Sequence, residues 1–163
     1  MPALCHWKMG ALAGSLVFAF SGNHVAAAEE EPVGSTESIA LIRRFLEACV
    51  RADPEEFASF FTADATWCNA PWNPVKGREA IRETLRRSAE RMSALPWEVK
   101  HIVADGDIVM TERIDNFLVG KTPVSVPCMG IFELQEGKIA AWRDYWDVQK
   151  FERQLPDPSV APE

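Results

Sequence analysis

The chain is 163 residues long, with 17 basic side chains (Lys and Arg) against 24 acidic ones (Asp and Glu) and a formal net charge of −7. This excess of negative charge disfavours nucleic acid and anionic membranes as partners, because both are themselves negative. Hydrophobic residues make up 47% of the chain, which is enough for one domain with a substantial core.

The first 28 residues have the pattern of a secretory signal peptide. Lys8 provides a short positive region, residues 9–20 are apolar, and the three alanines at 26–28 offer a cleavage site of small residues. The apolar run is shorter than the roughly 20 residues that a membrane span needs. An uncleaved anchor or a misassigned start codon are the alternatives. We expect cleavage after Ala28 and export to the periplasm or the medium, with no membrane span in the mature chain.

The mature chain divides into three parts. Residues 29–36 form an acidic leader, residues 37–155 form the single domain, and the proline-rich residues 156–163 are predicted to be a disordered tail. Neither end of the mature chain carries a motif that points to chemistry, so the candidate site is expected within the domain.

Helices are predicted first in the domain. The first begins at Thr36, which is a candidate cap together with Ser35, and apolar residues then recur at helical spacing. The second begins with Asp53 as the cap and Pro54 in the first turn. A third helix is predicted over residues 77–92, with arginines on its solvated face.

Strands dominate the rest of the domain. A short strand at residues 65–68 precedes the third helix, and a short closing helix is predicted at residues 149–154. Between the third and the closing helix the predicted strands are residues 97–104, 108–118, 124–134 and 138–147. The turn Asp105-Gly106-Asp107 is a strong hairpin signal. Helices followed by a meandering sheet indicate an α+β fold, and a curved sheet wrapped around helices encloses one deep pocket.

The cysteines do not show the paired spacing of a metal site. Cys49, Cys68 and Cys128 remain after the signal peptide, and they either form one internal disulfide or stay as buried single thiols. A nucleophilic cysteine needs a nearby histidine, and His101, the one histidine of the mature chain, stands in no paired motif. We therefore expect neither a metal nor cysteine catalysis.

Charged residues on two strand-like segments form the candidate site. Residues i and i+2 of a strand point to the same side, so Arg113 and Asp115 share one face with Phe117, and Asp144 shares another with Trp142 and Trp146. If the two faces meet, two carboxylates and a guanidinium lie in an aromatic pocket. Two carboxylates in a dry site do not both ionise cheaply, so one supplies an acid and the other a base. The structural alternative is a buried ion-pair network that only fixes strand register.

These residues resemble a known family, the limonene-1,2-epoxide hydrolases of the NTF2-like and SnoaL-like superfamily. The resemblance covers roughly residues 38–155, and its matching segments are Thr111–Asp115, Gly130–Ile139, Trp142–Asp147 and Asn69–Pro71 followed by Gly77-Arg78. It implies an NTF2-like cone, in which N-terminal helices pack on a strongly curved, mostly antiparallel sheet around one deep pocket. It also implies a homodimer formed through the outer face of the sheet.

The resemblance implies a role for each matching residue. Asp115 matches the acid that protonates the epoxide oxygen, and Asp144 matches the base that deprotonates water. Arg113 matches the arginine that bridges the two carboxyls, and Asn69 matches an asparagine that helps to hold the water. The implied reaction is the cofactor-independent hydrolysis of a small apolar epoxide to a vicinal diol, with no metal.

One departure from the family pattern concerns the water. The family has a tyrosine two residues before the asparagine, and this chain has Trp67 there. An indole N–H only donates a hydrogen bond, whereas a phenol both donates and accepts. Trp67 could therefore only donate to the water. The predicted substrate wall consists of Trp67, Trp72, Phe117, Val126, Cys128 and Trp146.

Two other functions fit the same scaffold. An isomerase or dehydratase would use one aspartate as a proton shuttle, but such sites usually need a phenolic partner, and Tyr145 is predicted to face away from Asp144. A non-catalytic binder of a hydrophobic ligand would have Trp67 filling the water site. Turnover of epoxides in oxygen-18 water separates hydrolysis from both.

Overall fold

The computed structural model describes residues 33–155. The predicted signal peptide, the start of the acidic leader and the predicted tail lie outside the described residues. Within the described part, no helix has both the length and the apolar character needed to cross a membrane.

The elements follow the predicted order, with helices first and strands after them. They are α1 (Val33–Arg51), α2 (Pro54–Ser59), β1 (Phe61–Asn69), β2 (Val75–Lys76), α3 (Arg78–Ala89), β3 (Met92–Ala94), β4 (Glu98–Asp105), β5 (Ile108–Val119), β6 (Thr122–Gln135), β7 (Lys138–Trp146) and α4 (Val148–Glu152). The sequence missed β2 and β3, because strands of two or three residues are too short to show an alternating pattern.

The first helix begins earlier than the sequence indicates. Because α1 starts at Val33, the prediction that Ser35 or Thr36 caps it is wrong. The Ser35 hydroxyl instead accepts a hydrogen bond of 3.0 Å from the backbone N–H of Gly106, and the Ser38 hydroxyl donates one of 2.8 Å to the carbonyl of Gly106. Both serines are buried, so their hydroxyls tie α1 to the turn between β4 and β5.

The start of the second helix is as predicted. The Asp53 carboxylate accepts hydrogen bonds from the backbone N–H groups of Glu55 and Glu56, and Pro54 is in the first turn. These bonds satisfy two of the amide donors that a helix start leaves without partners. The third helix starts after Gly77, whose φ of 87° is in the left-handed region that glycine adopts at no steric cost.

One mixed sheet carries most of the domain. Its strand order is β2-β1-β7-β6-β5-β3, and β4 pairs with the same strand, β5, as β3 does. The pairing of β1 with β7 is parallel, with Asn69 opposite Asp144, and the other pairings are antiparallel. The predicted α+β class is confirmed, and the parallel pair adds to the mostly antiparallel sheet that was expected.

The core lies between α1 and the concave face of the sheet. Phe45 of α1 is fully buried, and its ring contacts aromatic rings from α2, β1, β6 and β7. The partners are Phe57, Phe60, Phe61, Phe132 and Trp142, with ring centroids 5.0–5.8 Å from that of Phe45. This aromatic cluster forms the centre of the core, and two of its rings, Phe57 and Trp142, also line a cavity.

A glycine in β6 makes room for a buried charge. A Cβ atom at Gly130 would lie 2.3 Å from Nη1 of Arg113, 2.8 Å from Oδ1 of Asp144 and 2.9 Å from Oγ1 of Thr111. Real Cβ atoms do not approach other heavy atoms so closely. The Arg113 side chain is fully buried and therefore has no solvent to move into.

We predict that Gly130→Ala destabilises the protein by about 1–3 kcal/mol, the usual cost of overpacking a core. The physical reason is that the added methyl group displaces the Arg113 guanidinium from its position beside Gly130. The free energy of unfolding from urea titration measures the change. Gln135→Ala, at an exposed position of the same strand, is the matched control and should change it by less. Equal stability of Gly130→Ala and the wild type would contradict this account.

Candidate active site

The register of three strands brings the predicted charged residues together. The pairing of β5 with β6 sets Arg113 opposite Cys128, and the pairing of β6 with β7 sets Gly130 opposite Asp144. Side chains of directly paired residues lie on the same face of a sheet. Arg113, Asp115 and Asp144 therefore meet on the concave face, as expected if the two predicted strand faces adjoin.

Arg113 bridges the two carboxyl groups. Its Nε donates to Asp115 Oδ1 at 2.7 Å, and its Nη2 donates to Asp115 Oδ2 at 3.1 Å and to Asp144 Oδ2 at 2.5 Å. Its Nη1 donates to Thr111 Oγ1 at 3.0 Å, and its Cζ lies 5.2 Å from the centroid of the Trp97 ring. The guanidinium thus lies between the strand floor at Gly130 and the face of an aromatic ring, which is a favourable place for a buried cation.

Burial sets the protonation of the carboxyl pair. Asp115 is 6% exposed and Asp144 is 4% exposed. Burial raises the pKa of Asp115 to about 6, against the opposing charge of Arg113. Burial also raises the pKa of Asp144, and the Arg113 charge and hydrogen bonds from Arg113 and Trp142 oppose the rise. Because one cation faces two acids, the pair favours a state that holds a single proton.

Both carboxyls open on a cavity of about 330 Å³. The cavity is bounded by all the residues predicted as substrate wall, namely Trp67, Trp72, Phe117, Val126, Cys128 and Trp146, and by Asn69, Asp115 and Asp144. Arg113 lies behind the carboxyls, fully buried, and is not part of the cavity wall. A cavity of this size accommodates a small ligand, since ligand sites are usually about 300–1,000 Å³.

Several cavity residues were not among those predicted. Trp97 lines the cavity and also lies over Arg113, and Cys49 of α1 and Phe151 of α4 contribute to the wall. Residues of α3 and β3, among them Leu85 and Met92, line it as well. The predicted strand 97–104 begins at Trp97, but β4 begins at Glu98, so Trp97 precedes the strand and its side is not set by strand alternation. Phe151 belongs to the short closing helix, whose position depends on tertiary contacts that a single sequence does not show.

Asn69 is the last residue of β1 and lies beside Asp144 across the parallel pair. Its Oδ1 accepts a hydrogen bond of 2.6 Å from Nε1 of Trp146. On the same strand as Trp146, Nε1 of Trp142 donates to Oδ1 of Asp144 at 2.7 Å. Two indoles of β7 therefore hold the two polar side chains at this end of the cavity.

Trp67 stacks on Trp142, with ring centroids 4.9 Å apart and an interplanar angle of 4°. Its Nε1 is buried, and no group among residues 33–155 forms a hydrogen bond with it. The N–H that the sequence allowed as a donor to the water is therefore not exposed to solvent in this structure. Tyr145, as predicted, is on the opposite face of β7 and 55% exposed.

The thiols remain single. Cys49, Cys68 and Cys128 are free in the described chain, so of the two alternatives the disulfide is not formed. Cys128 Sγ lies within 4.8 Å of carboxyl oxygens of Asp115 and Asp144, a grouping with the ligand types of a metal site. However, Nη2 of Arg113 forms hydrogen bonds with all three groups. The guanidinium thus occupies the place of a bound cation.

Comparison with known proteins agrees with this geometry. A family model described as a SnoaL-like domain matches residues 42–142. Epoxide hydrolase EphG of Mycobacterium tuberculosis (strain ATCC 25618 / H37Rv) is 34% identical over 109 residues, which cover 66% of this chain and 71% of that protein. The structure of an LEH-like epoxide hydrolase from M. tuberculosis superposes with a TM-score of 0.68 at 30% identity, over 74% of this chain and 90% of that one.

A more distant structure shares the fold alone. It is a hypothetical protein from Catenulispora acidiphila with a ketosteroid isomerase-like fold, which superposes with a TM-score of 0.66 at 20% identity, over 71% of this chain and 93% of that one. The predicted cone of helices and curved sheet is confirmed by these relatives. The chain therefore belongs to the family of SnoaL-like domains, and the resemblance to epoxide hydrolases of this fold that its sequence indicated is confirmed.

Proposed function

We propose that this protein is an epoxide hydrolase that opens a small apolar epoxide with water in one step. The observation that carries the proposal is the pair of buried carboxyls on the cavity wall, Asp115 and Asp144, joined by Arg113 from behind. The relatives named as epoxide hydrolases support the same reaction class.

The two carboxyls have complementary roles in this reaction. Protonated Asp115 gives its proton to the epoxide oxygen while the C–O bond breaks. Ionised Asp144 takes a proton from the water whose oxygen forms the new bond to carbon. The product is a vicinal diol, and the proton then returns from Asp144 to Asp115 directly or through solvent. General acid–base help of this kind contributes about 10²–10⁴-fold for each positioned group.

Arg113 acts through the carboxyls. It touches both of them but does not line the cavity, so it is a positioning residue for the pair. Its fixed positive charge balances the one negative charge that the pair keeps before and after the proton has moved. Removing one partner of a buried ion pair typically costs about 3–5 kcal/mol, so Arg113 also supports the fold.

The cavity wall favours an apolar substrate. The residues facing it are mainly aromatic or aliphatic, and the polar groups cluster at the end that holds Asn69, Asp115 and Asp144. An isomerase of the ketosteroid type would need a phenolic partner for the oxyanion. The one tyrosine of the chain, Tyr145, is on the outer face of β7, so this alternative has no support from the described residues.

We predict that Asp115→Asn and Asp144→Asn each lower kcat/KM for epoxide hydrolysis by about 10²–10⁴-fold, because each removes one half of the acid–base pair. Asparagine keeps the side-chain shape, so each variant should stay folded at the assay temperature, with a lower melting temperature because Arg113 loses one of its charge partners. The measurement is diol formation from a panel of epoxides in oxygen-18 water, where the diol should gain one labelled oxygen from solvent.

Asp107→Asn serves as the matched control for these two variants, because Asp107 is exposed in the turn between β4 and β5. It should keep wild-type turnover. If Asp115→Asn or Asp144→Asn also kept wild-type turnover, the two-carboxyl mechanism would be wrong. If the wild type bound epoxides without converting any of them, the protein would be a binder of hydrophobic ligands.

Activity should depend on the proton of Asp115. Because burial raises the pKa of Asp115 to about 6, the acid is present below that pH and is lost as the pH rises through it. We predict that kcat/KM falls about tenfold per pH unit above an apparent pKa near 6, a value that belongs to the coupled pair. A profile that rose from pH 6 to pH 9 would contradict the role of Asp115 as the acid.

The outer face of the sheet supports a homodimer. Val103, Met110, Met129 and Tyr145 lie exposed on the convex side, and register places Val103 beside Met110 and Met129 beside Tyr145. Exposed apolar patches of this kind commonly mark interfaces. We predict a dimer in sedimentation velocity that Met129→Glu converts to a monomer. A wild-type monomer at micromolar concentration would contradict the proposal.

A further inference from the structure

We propose that Trp146 is a positioning residue that fixes the orientation of the Asn69 amide, so that Asn69 presents its NH₂ group to the attacking water. The inference rests on the proposed hydrolase function and concerns how this chain holds its water without the family tyrosine. The sequence predicted Trp146 as substrate wall, and the structure adds a hydrogen bond to that role.

The hydrogen bond from Trp146 identifies which atom of the Asn69 amide is the oxygen. Trp146 Nε1 lies 2.6 Å from the Asn69 side chain. An indole nitrogen carries one N–H and accepts nothing, so the amide atom that faces it must be the oxygen. The contact therefore decides between the two amide orientations, which differ only by exchanging oxygen and nitrogen.

The other half of the Asn69 amide, its NH₂ group, is a hydrogen-bond donor. With Oδ1 bound to Trp146, the NH₂ group of Asn69 provides the remaining hydrogen bonds. No group among residues 33–155 is hydrogen-bonded to Nδ2. Asn69 also lines the cavity together with Asp144, its direct neighbour across the β1–β7 pair. A donor and an acceptor thus stand side by side on the cavity wall.

This donor–acceptor pair matches the needs of an attacking water. The water must give a proton to Asp144 and point one lone pair at carbon, so its other lone pair is best held by a donor. A tyrosine at position 67 could supply that donor, but the N–H of Trp67 is buried away from water. In this chain the NH₂ group of Asn69 takes its place. An amide in the opposite orientation would offer an oxygen that competes with Asp144 for the water's protons.

The indole of Trp146 is itself held in place. Its ring packs against Trp72, with centroids 5.2 Å apart, and against Phe151 of α4, with centroids 5.5 Å apart. The end of α4 is held against β6 by Gln154, whose side chain accepts a hydrogen bond from the backbone N–H of Ser125 and donates one to the Ser125 carbonyl. These contacts hold Phe151, and through its ring they hold the indole whose N–H binds Asn69.

The test compares Trp146→Phe, Asn69→Ala and the double variant. Phenylalanine keeps an aromatic ring but lacks the N–H, and misplacement of a reacting group by about 1 Å can cost on the order of 10²-fold. We expect Trp146→Phe to lower kcat by about 10- to 100-fold, with KM within about threefold of the wild type. Asp107→Asn, at an exposed turn position between β4 and β5, should keep wild-type kinetics. All variants should be folded at the assay temperature, with a lower melting temperature for Trp146→Phe because the smaller ring packs less well against Trp72 and Phe151.

The double variant decides whether Trp146 acts through Asn69. If it does, adding Trp146→Phe to Asn69→Ala costs nothing further, because the group it positions is already gone. The inference would be overturned if the kcat losses of the two single variants multiplied in the double variant, or if Trp146→Phe kept the wild-type kcat. The hydrolase function would stand in either case.

A second measurement does not need activity. A crystal structure that resolves ordered water should show one water bonded to both Asn69 Nδ2 and Asp144 in the wild type, and its loss or displacement in Trp146→Phe. The absence of that water from the wild type would overturn the inference. If the water is present in the wild type and is lost or displaced in Trp146→Phe, but no epoxide is hydrolysed, the role of Trp146 in holding the water stands and the proposed function fails.

Discussion

The structure depends on one buried cation. Arg113 has no exposed surface, and its guanidinium forms hydrogen bonds with Asp115, Asp144 and Thr111 at once. A charge at this depth is tolerated only when it is paired and its donors are satisfied, so the strands around it must keep a register that brings both carboxyls within reach. Gly130 leaves the space and Trp97 covers the guanidinium. The fold and the acid–base pair therefore depend on the same contacts.

The rest of the concave face divides into two regions. In one, the rings of Phe45, Phe57, Phe61 and Phe132 pack together and form the stable core. In the other, indole N–H groups hold polar side chains at the cavity, from Trp142 to Asp144 and from Trp146 to Asn69. Tryptophan suits both regions because it adds a large apolar surface and one donor. Trp142 belongs to both regions, because its ring contacts Phe45 and its N–H donates to Asp144.

Sequence reasoning reached the fold class and the position of the charged residues, because the alternation of side chains along a strand is enough to assign Arg113, Asp115 and Asp144 to faces. It did not reach features set by distant contacts. The start of α1 was misplaced because Ser35 bonds to a turn that follows β4, a contact that local capping rules cannot show. Three further features were missed for the same reason, because each joins segments that are separated in the chain. They are the parallel pairing of β1 and β7, the position of Trp97 over Arg113 and the hydrogen bond from Trp146 to Asn69.

The replacement of a phenol by the indole of Trp67 has a consequence for how the cavity responds to alkali. The titratable groups on its wall are two carboxyls and the thiols of Cys49 and Cys128. Burial raises the pKa of both thiols well above their ordinary range, and an indole does not ionise. Once the carboxyl pair has lost its shared proton, nothing on the wall changes charge until strongly alkaline pH. A family member with a phenol there has one more ionisation near pH 10; the described cavity wall of this chain has an indole there, which does not ionise.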